Sequence, residues 1–214
     1  MPRTYIPALK YELLTPFYDF VVSTLLPERK IKNLLIDQAN FAPESRVLDF
    51  GCGTLTLVLM AKDRFPKAEF FAADVDKKIL SIAKKKMNEA NKSVTILHLE
   101  GQTLPFEDNY FDSVISSLVF HHLTKEQKIN SFKEIYRVLK PSGKLHILDW
   151  GKAKNFFMRV AFLAVQIVDG FNTTTDIWKG LLPDYMKQVG FVEVAETKTF
   201  STVLGNLSLY MSVK

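Results

Sequence analysis

The sequence has few of the features that would restrict its function most directly. Cys52 is its one cysteine, so no disulfide can form within the chain, and a reducing, cytoplasmic setting is expected. It has no internal repeat and no low-complexity linker. Residues 1–10 hold no long apolar run, so no N-terminal targeting signal is expected. The most lipid-like stretch, residues 156–168, carries Arg159 and Gln166 and falls short of the roughly 20 residues that a membrane-crossing helix needs. No block of like charge stands out: 28 Lys and Arg against 23 Asp and Glu leave +5. The lysines, such as Lys77, Lys78, Lys84, Lys85 and Lys86, are spaced as on a solvated helix face. No arginine-rich segment with interleaved aromatics exists, so nucleic acid is not the expected partner despite a pI near 9.1. The basic charge and the apolar 156–168 segment still allow peripheral contact with an anionic membrane.

What is present is an ordinary globular composition, 47% hydrophobic and 24% charged, in a chain long enough for a substantial core. From residue 46 onward, short apolar runs alternate with helix-like segments. Residues 47–50, 69–73, 94–99, 113–117 and 144–150 read as strands. Between them, residues 55–64 are helical, and Asp76 stands at an N-cap before Ile79, Ile82, Ala83 and Met87 at helical spacing. Thr124 and Gln127 form a capping box for a helix whose apolar face is Ile129, Phe132, Ile135 and Leu139, with Pro141 and Gly143 as its stop. Strands alternating with helices imply a parallel sheet covered on both faces.

The last third departs from this alternation. Residues 155–168 read as an apolar helix, 169–176 as a polar loop, and 182–189 as a short helix stopped by Gly190. Residues 191–197 and 207–213 are two strands around a turn at Gly205 and Asn206, an antiparallel hairpin closing one sheet edge. The expected fold is α/β, Rossmann-like and doubly wound, a mostly parallel seven-stranded sheet with a C-terminal antiparallel hairpin. We expect one domain over residues 1–214. Its parts are an N-terminal helical cap over 1–45, a ligand-binding core over 46–150, and substrate-side helices with the hairpin over 151–214.

The strongest local motif is Val47-Leu48-Asp49-Phe50-Gly51-Cys52-Gly53-Thr54. A strand entering a glycine turn and then a helix lets backbone approach a ligand closely at the carboxyl end of the sheet. A dinucleotide would place its pyrophosphate there, and the Asp49 carboxylate would repel it. The dinucleotide pattern also fails, since its third glycine would fall at Thr56. S-adenosylmethionine carries a sulfonium and an ammonium instead, and Asp49 attracts both, directly or through a water. Asp74, followed by Val75 at the end of the second strand, is placed to accept hydrogen bonds from ribose hydroxyls. After the third strand, Glu100 can accept a bond from an adenine amino group, Gly101 brings backbone close to the ring, and Gln102 follows. Leu104-Pro105-Phe106 taken alone is a packed loop.

In the order they occur, Asp49 through Thr54, Asp74, Glu100 through Phe106, Tyr110-Phe111-Asp112, Phe120-His121-His122-Leu123 and Tyr136 through Gly143 resemble the class I methyltransferases. The nearest group in that resemblance is the type-11, ubiquinone- and menaquinone-biosynthesis type, and it spans residues 46–150. The resemblance implies cofactor contacts from Thr54, Asp74, Glu100, Gly101, Ser117 and the Gly51–Gly53 turn, with S-adenosylhomocysteine as product. Two departures stand out. Leu55 replaces the family's third turn glycine and is expected to tighten the methionine pocket. Glu100 replaces an aspartate, keeping the acceptor on a longer arm.

Methyl transfer from a sulfonium is a direct displacement that needs alignment and exclusion of water, and a base only where the acceptor must lose a proton. His121 and His122, after the fourth strand, are the candidates for that base. His98 and His146 lie inside strand patterns and are structural, and no cluster in the sequence has metal-ligand spacing. The acceptor pocket is expected from Tyr11, Phe17, Tyr18 and Asp19 on one side, and from 156–168 with 169–178 on the other. A small or amphiphilic acceptor, quinone-like or lipid-like, is the leading expectation. Methylation of RNA or protein, or a non-catalytic S-adenosylmethionine-binding module, are the alternatives. The Asn-Pro-Pro-Tyr type of run found in many nucleic-acid amino methyltransferases is absent, with Ser116-Ser117-Leu118-Val119 in its place.

Overall fold

Apolar runs short enough for strands and buried on both faces dictate the centre of the molecule. The computed structural model describes residues 28–214; Tyr11, Phe17, Tyr18 and Asp19 of the expected cap lie outside them. The helices and strands, in chain order, begin with α1 (Glu28–Ala39), β1 (Arg46–Phe50), α2 (Thr56–Arg64), β2 (Glu69–Asp74) and α3 (Lys77–Glu89). They continue with β3 (Thr95–His98), β4 (Phe111–Ser117), α4 (Lys125–Val138) and β5 (Leu139–Trp150). The last third holds α5 (Phe156–Asp169), α6 (Phe171–Lys179), α7 (Leu182–Val189), β6 (Val192–Thr202) and β7 (Gly205–Val213).

The strands form one seven-stranded sheet in the order β3-β2-β1-β4-β5-β7-β6. Strands β1 to β5 pair in parallel, while β7 runs antiparallel to both β5 and β6. The expected fold class is thus observed. The order reverses between β1 and β4, which is where ligands bind in open parallel sheets. Val47, Leu48, Val114, Ile115, Leu145 and Ile147 are fully buried at the centre.

Local chemistry accounts for the boundaries. Asp76 caps α3 through its side chain, accepting from the backbone N–H groups of Lys78 and Ile79. Thr124 and Gln127 close both halves of the expected capping box on α4. Arg137 on α4 ties down the loop after β3, donating to the carbonyls of Leu104 and Phe106 and to Asp108. Glu134 accepts from the Leu104 N–H at 2.9 Å, which fixes Leu104-Pro105-Phe106 as the packed loop expected of it.

Three boundaries differ from expectation. Helix α4 ends at Val138, before Pro141 and Gly143, and β5 begins at once with Leu139 beside Phe111. The register then jumps to Lys144 beside Ser113, so residues 140–143 bulge out of the ladder, where a proline without an N–H breaks no hydrogen bond. Residues 171–176 form helix α6 rather than a polar loop. Their threonine hydroxyls donate back to backbone carbonyls one turn earlier, Thr174 to Gly170 and Thr175 to Phe171, so packing overrides weak helix propensity. The hairpin turn falls at Val203 and Leu204, before Gly205 and Asn206, which already belong to β7.

Candidate active site

The turn after β1 is shaped by backbone bonds before any side chain acts. The N–H groups of Gly51 and Cys52 both donate to the Ala73 carbonyl, at 2.8 and 3.0 Å, pinning the turn to the end of β2. Gly51 and Gly53 adopt φ of +74° and +53°, a region that favours glycine. The Gly53 N–H donates to Asp74 Oδ2 at 2.9 Å, and the Asp76 N–H donates to Asp74 Oδ1 at 3.0 Å. One carboxylate therefore joins the glycine turn to the start of α3 and is held in a single orientation.

These turns open onto a cavity of about 670 Å³ at the carboxyl ends of β1, β2, β3 and β4. Its wall includes Gly51, Gly53, Asp74, Val75, Gly101, Gln102, Ser117 and His122, all expected at the site. Leu118, Val119, Gln127 and Ser131 join them and were not foreseen. Leu118 has φ +60°, unusual for a branched side chain and typical of backbone strained at a site. Only its place directly after the strand run of β4 could have signalled it.

The other expected residues sit around this wall rather than in it. Asp49 is buried behind the turn. Cys52 is buried as well, and its thiol is pushed up by burial and by the nearby Asp49 and Asp74 carboxylates. Thr54 is exposed, its hydroxyl 3.4 Å from that of Thr56. Glu100 is exposed outside the lining, while Gln102 presents a polar group to the cavity. Leu55 does take a left-handed conformation of the kind that favours glycine, with φ +69°. Its side chain is fully buried in the core and does not line the cavity, so the expected tightening of the pocket is not observed.

The donor set tests which ligand the cavity suits. Among the described residues no lysine or arginine lines it, so a phosphate would meet none of these cations there. The polar atoms Gln102 Nε2, Ser117 Oγ and Ser131 Oγ are buried with no hydrogen-bond partner among the described residues, and all three residues line the cavity. Buried polar groups are normally satisfied, so these point to a ligand with its own donors and acceptors. Both oxygens of Asp49 are in the same state. Burial pushes the Asp49 carboxyl up to about 7, with Lys32 opposing and Asp74 reinforcing the rise. A positively charged ligand beside Asp49 and Asp74 relieves that cost. The residues fit S-adenosylmethionine: open glycines for close approach, Asp74 for a ribose, and carboxylates for its two cationic groups.

The comparisons agree with this fit. A methyltransferase domain family matches residues 47–143. The demethylmenaquinone methyltransferase of Thermus thermophilus is 34% identical over 143 residues, 67% of this chain and 62% of that protein. The chain belongs to the class I S-adenosylmethionine-dependent methyltransferases. The ubiquinone/menaquinone biosynthesis C-methyltransferase UbiE of Wigglesworthia glossinidia brevipalpis is 31% identical over 153 residues, 70% of this chain and 58% of the relative. The match thus spans less than two thirds of the length of these relatives. Among solved structures, a SAM-dependent methyltransferase from Aquifex aeolicus has TM-score 0.63 at 18% identity, covering 92% of this chain and 98% of that one. The [4+2]-cyclase SpnF has TM-score 0.70 at 17% identity, covering 95% and 93%. Both share the fold, and the second shows that this fold also carries other chemistry.

The two candidate histidines sit after β4 in a short 3-10 turn, Phe120–His122. Phe120 stacks on Phe132 of α4 with centroids 4.5 Å apart, which anchors the turn. His121 is buried and donates from Nδ1 to Asp149 Oδ1 at 2.7 Å. Asp149 also accepts from the N–H groups of Phe120 and Trp150, both at 2.7 Å. Burial opposes charge on His121, but the Asp149 and Asp169 carboxylates outweigh it and raise its affinity for a proton. His122 lines the cavity, and burial together with its neighbour His121 pushes it down to about 3. Of the two candidates for a base, one is turned away from the cavity and the other is a weak proton acceptor. His98, bonded to the Val75 carbonyl, and His146, beside Gln38, stand outside the site.

Among the described residues, no helix is long and apolar enough to cross a membrane.

Proposed function

We propose that this chain methylates a ring carbon of a quinol-like aromatic acceptor, with S-adenosylmethionine as the donor. The donor side of the reading is carried by the cationic fit of the cavity, with Asp74 held by two backbone N–H groups at its rim and, among the described residues, no lysine or arginine on its wall. The acceptor side is carried by the names of the relatives, two of which act on quinones. When bound, S-adenosylmethionine supplies a sulfonium-activated methyl carbon that the acceptor's ring carbon displaces, leaving a neutral thioether while the ring proton passes to water.

The protein's contribution is position and environment. Asp74 takes the ribose hydroxyls, Gly101 and Gln102 border the adenine, and the Gly51–Gly53 turn with Asp49 behind it holds the methionine part. Ser117 and Leu118, at the end of β4, set the floor near the methyl carbon. Ile79, Leu99, Leu118, Val119 and Leu123 make the rest of the wall mostly apolar, which suits a ring system and keeps water out. The exposed Phe156, Phe157 and Phe171 beside α5 and α6 suit an acceptor drawn from a lipid phase. A cytoplasmic enzyme working at the membrane surface accommodates both this patch and Cys52 as a reduced thiol.

The deciding experiment is calorimetry of the purified protein with S-adenosylmethionine and with NAD, repeated on Asp74→Ala. Micromolar binding of the methyl donor, lost in the variant, is the expected result. Incubation with the donor and a reduced demethylated quinone, a phospholipid or RNA then separates the acceptor classes. Methyl incorporation into the quinone alone is expected, and incorporation into RNA alone would replace the acceptor reading.

A further inference from the structure

The spacing in the sequence shows no metal site, yet among the described residues the fold brings a set of metal-ligand atoms together next to the cavity. His121 and His122 follow β4, and Asp169 is the last residue of α5, remote in sequence. Helix α6 packs against the 3-10 turn and brings the end of α5 to it. His121 Nε2 lies 3.9 Å from Asp169 Oδ2, and His122 Nδ1 lies 3.6 Å from Asp169 Oδ1. One ligand atom from each of the three residues falls within 4.8 Å of the others. Around a four-coordinate ion with bonds of about 2.0–2.2 Å, ligand atoms stand roughly 3.3–3.5 Å apart. The observed separations, two of them to different oxygens of Asp169, exceed that, so a bound ion would draw the three side chains closer together.

The surroundings are those of a metal-ligating histidine. His121 donates its Nδ1 proton to Asp149 at 2.7 Å, which fixes the ring and leaves Nε2 directed toward Asp169. Asp149 is itself held by two backbone N–H groups. A carboxylate behind the ligating imidazole is the usual outer partner in such sites. Of the three residues, His122 lines the cavity, which puts the set next to it.

We propose that His121, His122 and Asp169 bind a divalent first-row transition cation, with an open coordination position toward the cavity. Two imidazoles and one carboxylate suit Zn²⁺, Co²⁺ or Fe²⁺ rather than Mg²⁺ or Ca²⁺. Its role in catalysis rests on the methyltransferase reading, whereas the binding itself does not. A phenolic hydroxyl of the acceptor takes the open position and loses its proton to water, which makes the ring carbon beside it a better nucleophile.

The test uses tag-free protein stripped with a chelator and titrated with Co²⁺, followed by calorimetry and by the visible d–d absorption of the bound ion. One equivalent of Co²⁺ is expected, with affinity lowered at least tenfold in His122→Ala and in Asp169→Asn. Asp149→Asn, which keeps all three ligands, is expected to weaken binding by roughly 10–100-fold through the outer partner. Asp169→Asn should still bind S-adenosylmethionine, which shows that its fold survives. Addition of a hydroquinone should shift the Co²⁺ spectrum as its oxygen enters the open position. Binding of S-adenosylmethionine without stoichiometric Co²⁺ binding overturns the metal site and leaves the methyltransferase reading standing. Co²⁺ binding that both ligand variants leave unchanged overturns the assignment of these residues. Co²⁺ binding lost in the ligand variants, in a protein that does not bind S-adenosylmethionine, supports the site and removes its catalytic role.

Discussion

Gly51 faces Val119 so closely that a β-carbon on the glycine would stand 2.4 Å from Val119 Cγ2. The two residues come from the turns after β1 and β4, the adjacent strands where the sheet order reverses, and both line the cavity. Gly51→Ala therefore meets two obstacles, the clash and a φ of +74° that a side chain disfavours. A loss of about 1–3 kcal/mol is expected in chemical denaturation, with loss of donor binding. Adding Val119→Ala removes the clash and leaves the backbone term, so the double variant should regain only part of the stability. Full recovery would mean that the left-handed conformation carries no cost here.

Asp49 should make donor binding depend on pH. Its carboxyl is pushed up to about 7 in the folded chain by burial, against a reference near 3.9 for an unfolded aspartate. The folded state then holds the proton more tightly than the unfolded state. This group's contribution to stability is present at low pH and is lost as pH rises from about 4 through 7. Lys32, Asp74 and Cys52 are the titratable groups that act on it or feel it. A cationic ligand favours the ionised form, so binding near pH 6 should release a proton. Calorimetry in two buffers of different ionisation enthalpy reads that release directly. In Asp49→Asn the release should vanish, donor affinity should fall, and the ligand-free protein should melt higher at pH 8.

A buried ion pair holds α6 in place. Lys128 is fully buried on α4, and its ammonium donates to the Thr173 carbonyl at 2.5 Å and to Asp176 at 2.8 and 3.0 Å. Lys128→Met leaves the Asp176 carboxylate without its cation and is expected to cost about 3–5 kcal/mol. Lys128→Met combined with Asp176→Leu should cost less than the single change, because no charge is left uncompensated. Urea unfolding of the three proteins checks the order.

These contacts separate what the sequence shows from what it does not. The strand and helix order was readable because apolar periodicity records burial, and the caps at Asp76 and Thr124 were readable because their side chains bond the next three residues. Gly51, Gly53, Asp74 and Gly101 were readable for the same reason, each sitting at a strand end where the chain must turn. Residues brought in by distant packing were not. Ser131 reaches the cavity from α4, and Asp169 meets His122 because α6 packs against both α5 and the 3-10 turn. The threonine run of α6 read as loop because threonine favours helix weakly, and the packing that overrides it, with the Lys128 contacts, comes from distant α4. Glu100 and Gln102 sit two residues apart on one loop, and no spacing rule decides which of them faces inward.

Leu55 carries the last prediction. At φ +69° it holds a conformation that glycine takes without strain, and its side chain is fully buried. Leu55→Gly places the residue that favours this conformation and removes a strain of about 1–3 kcal/mol. It also deletes a buried leucine side chain, which costs about 2–5 kcal/mol through lost contacts and the cavity left behind. The second effect is larger, so the variant should melt at a lower temperature than the parent. Because Leu55 faces the core and not the cavity, affinity for S-adenosylmethionine should stay within a few-fold of the parent. A large change in affinity with unchanged stability would mean that this side chain shapes the methionine pocket after all.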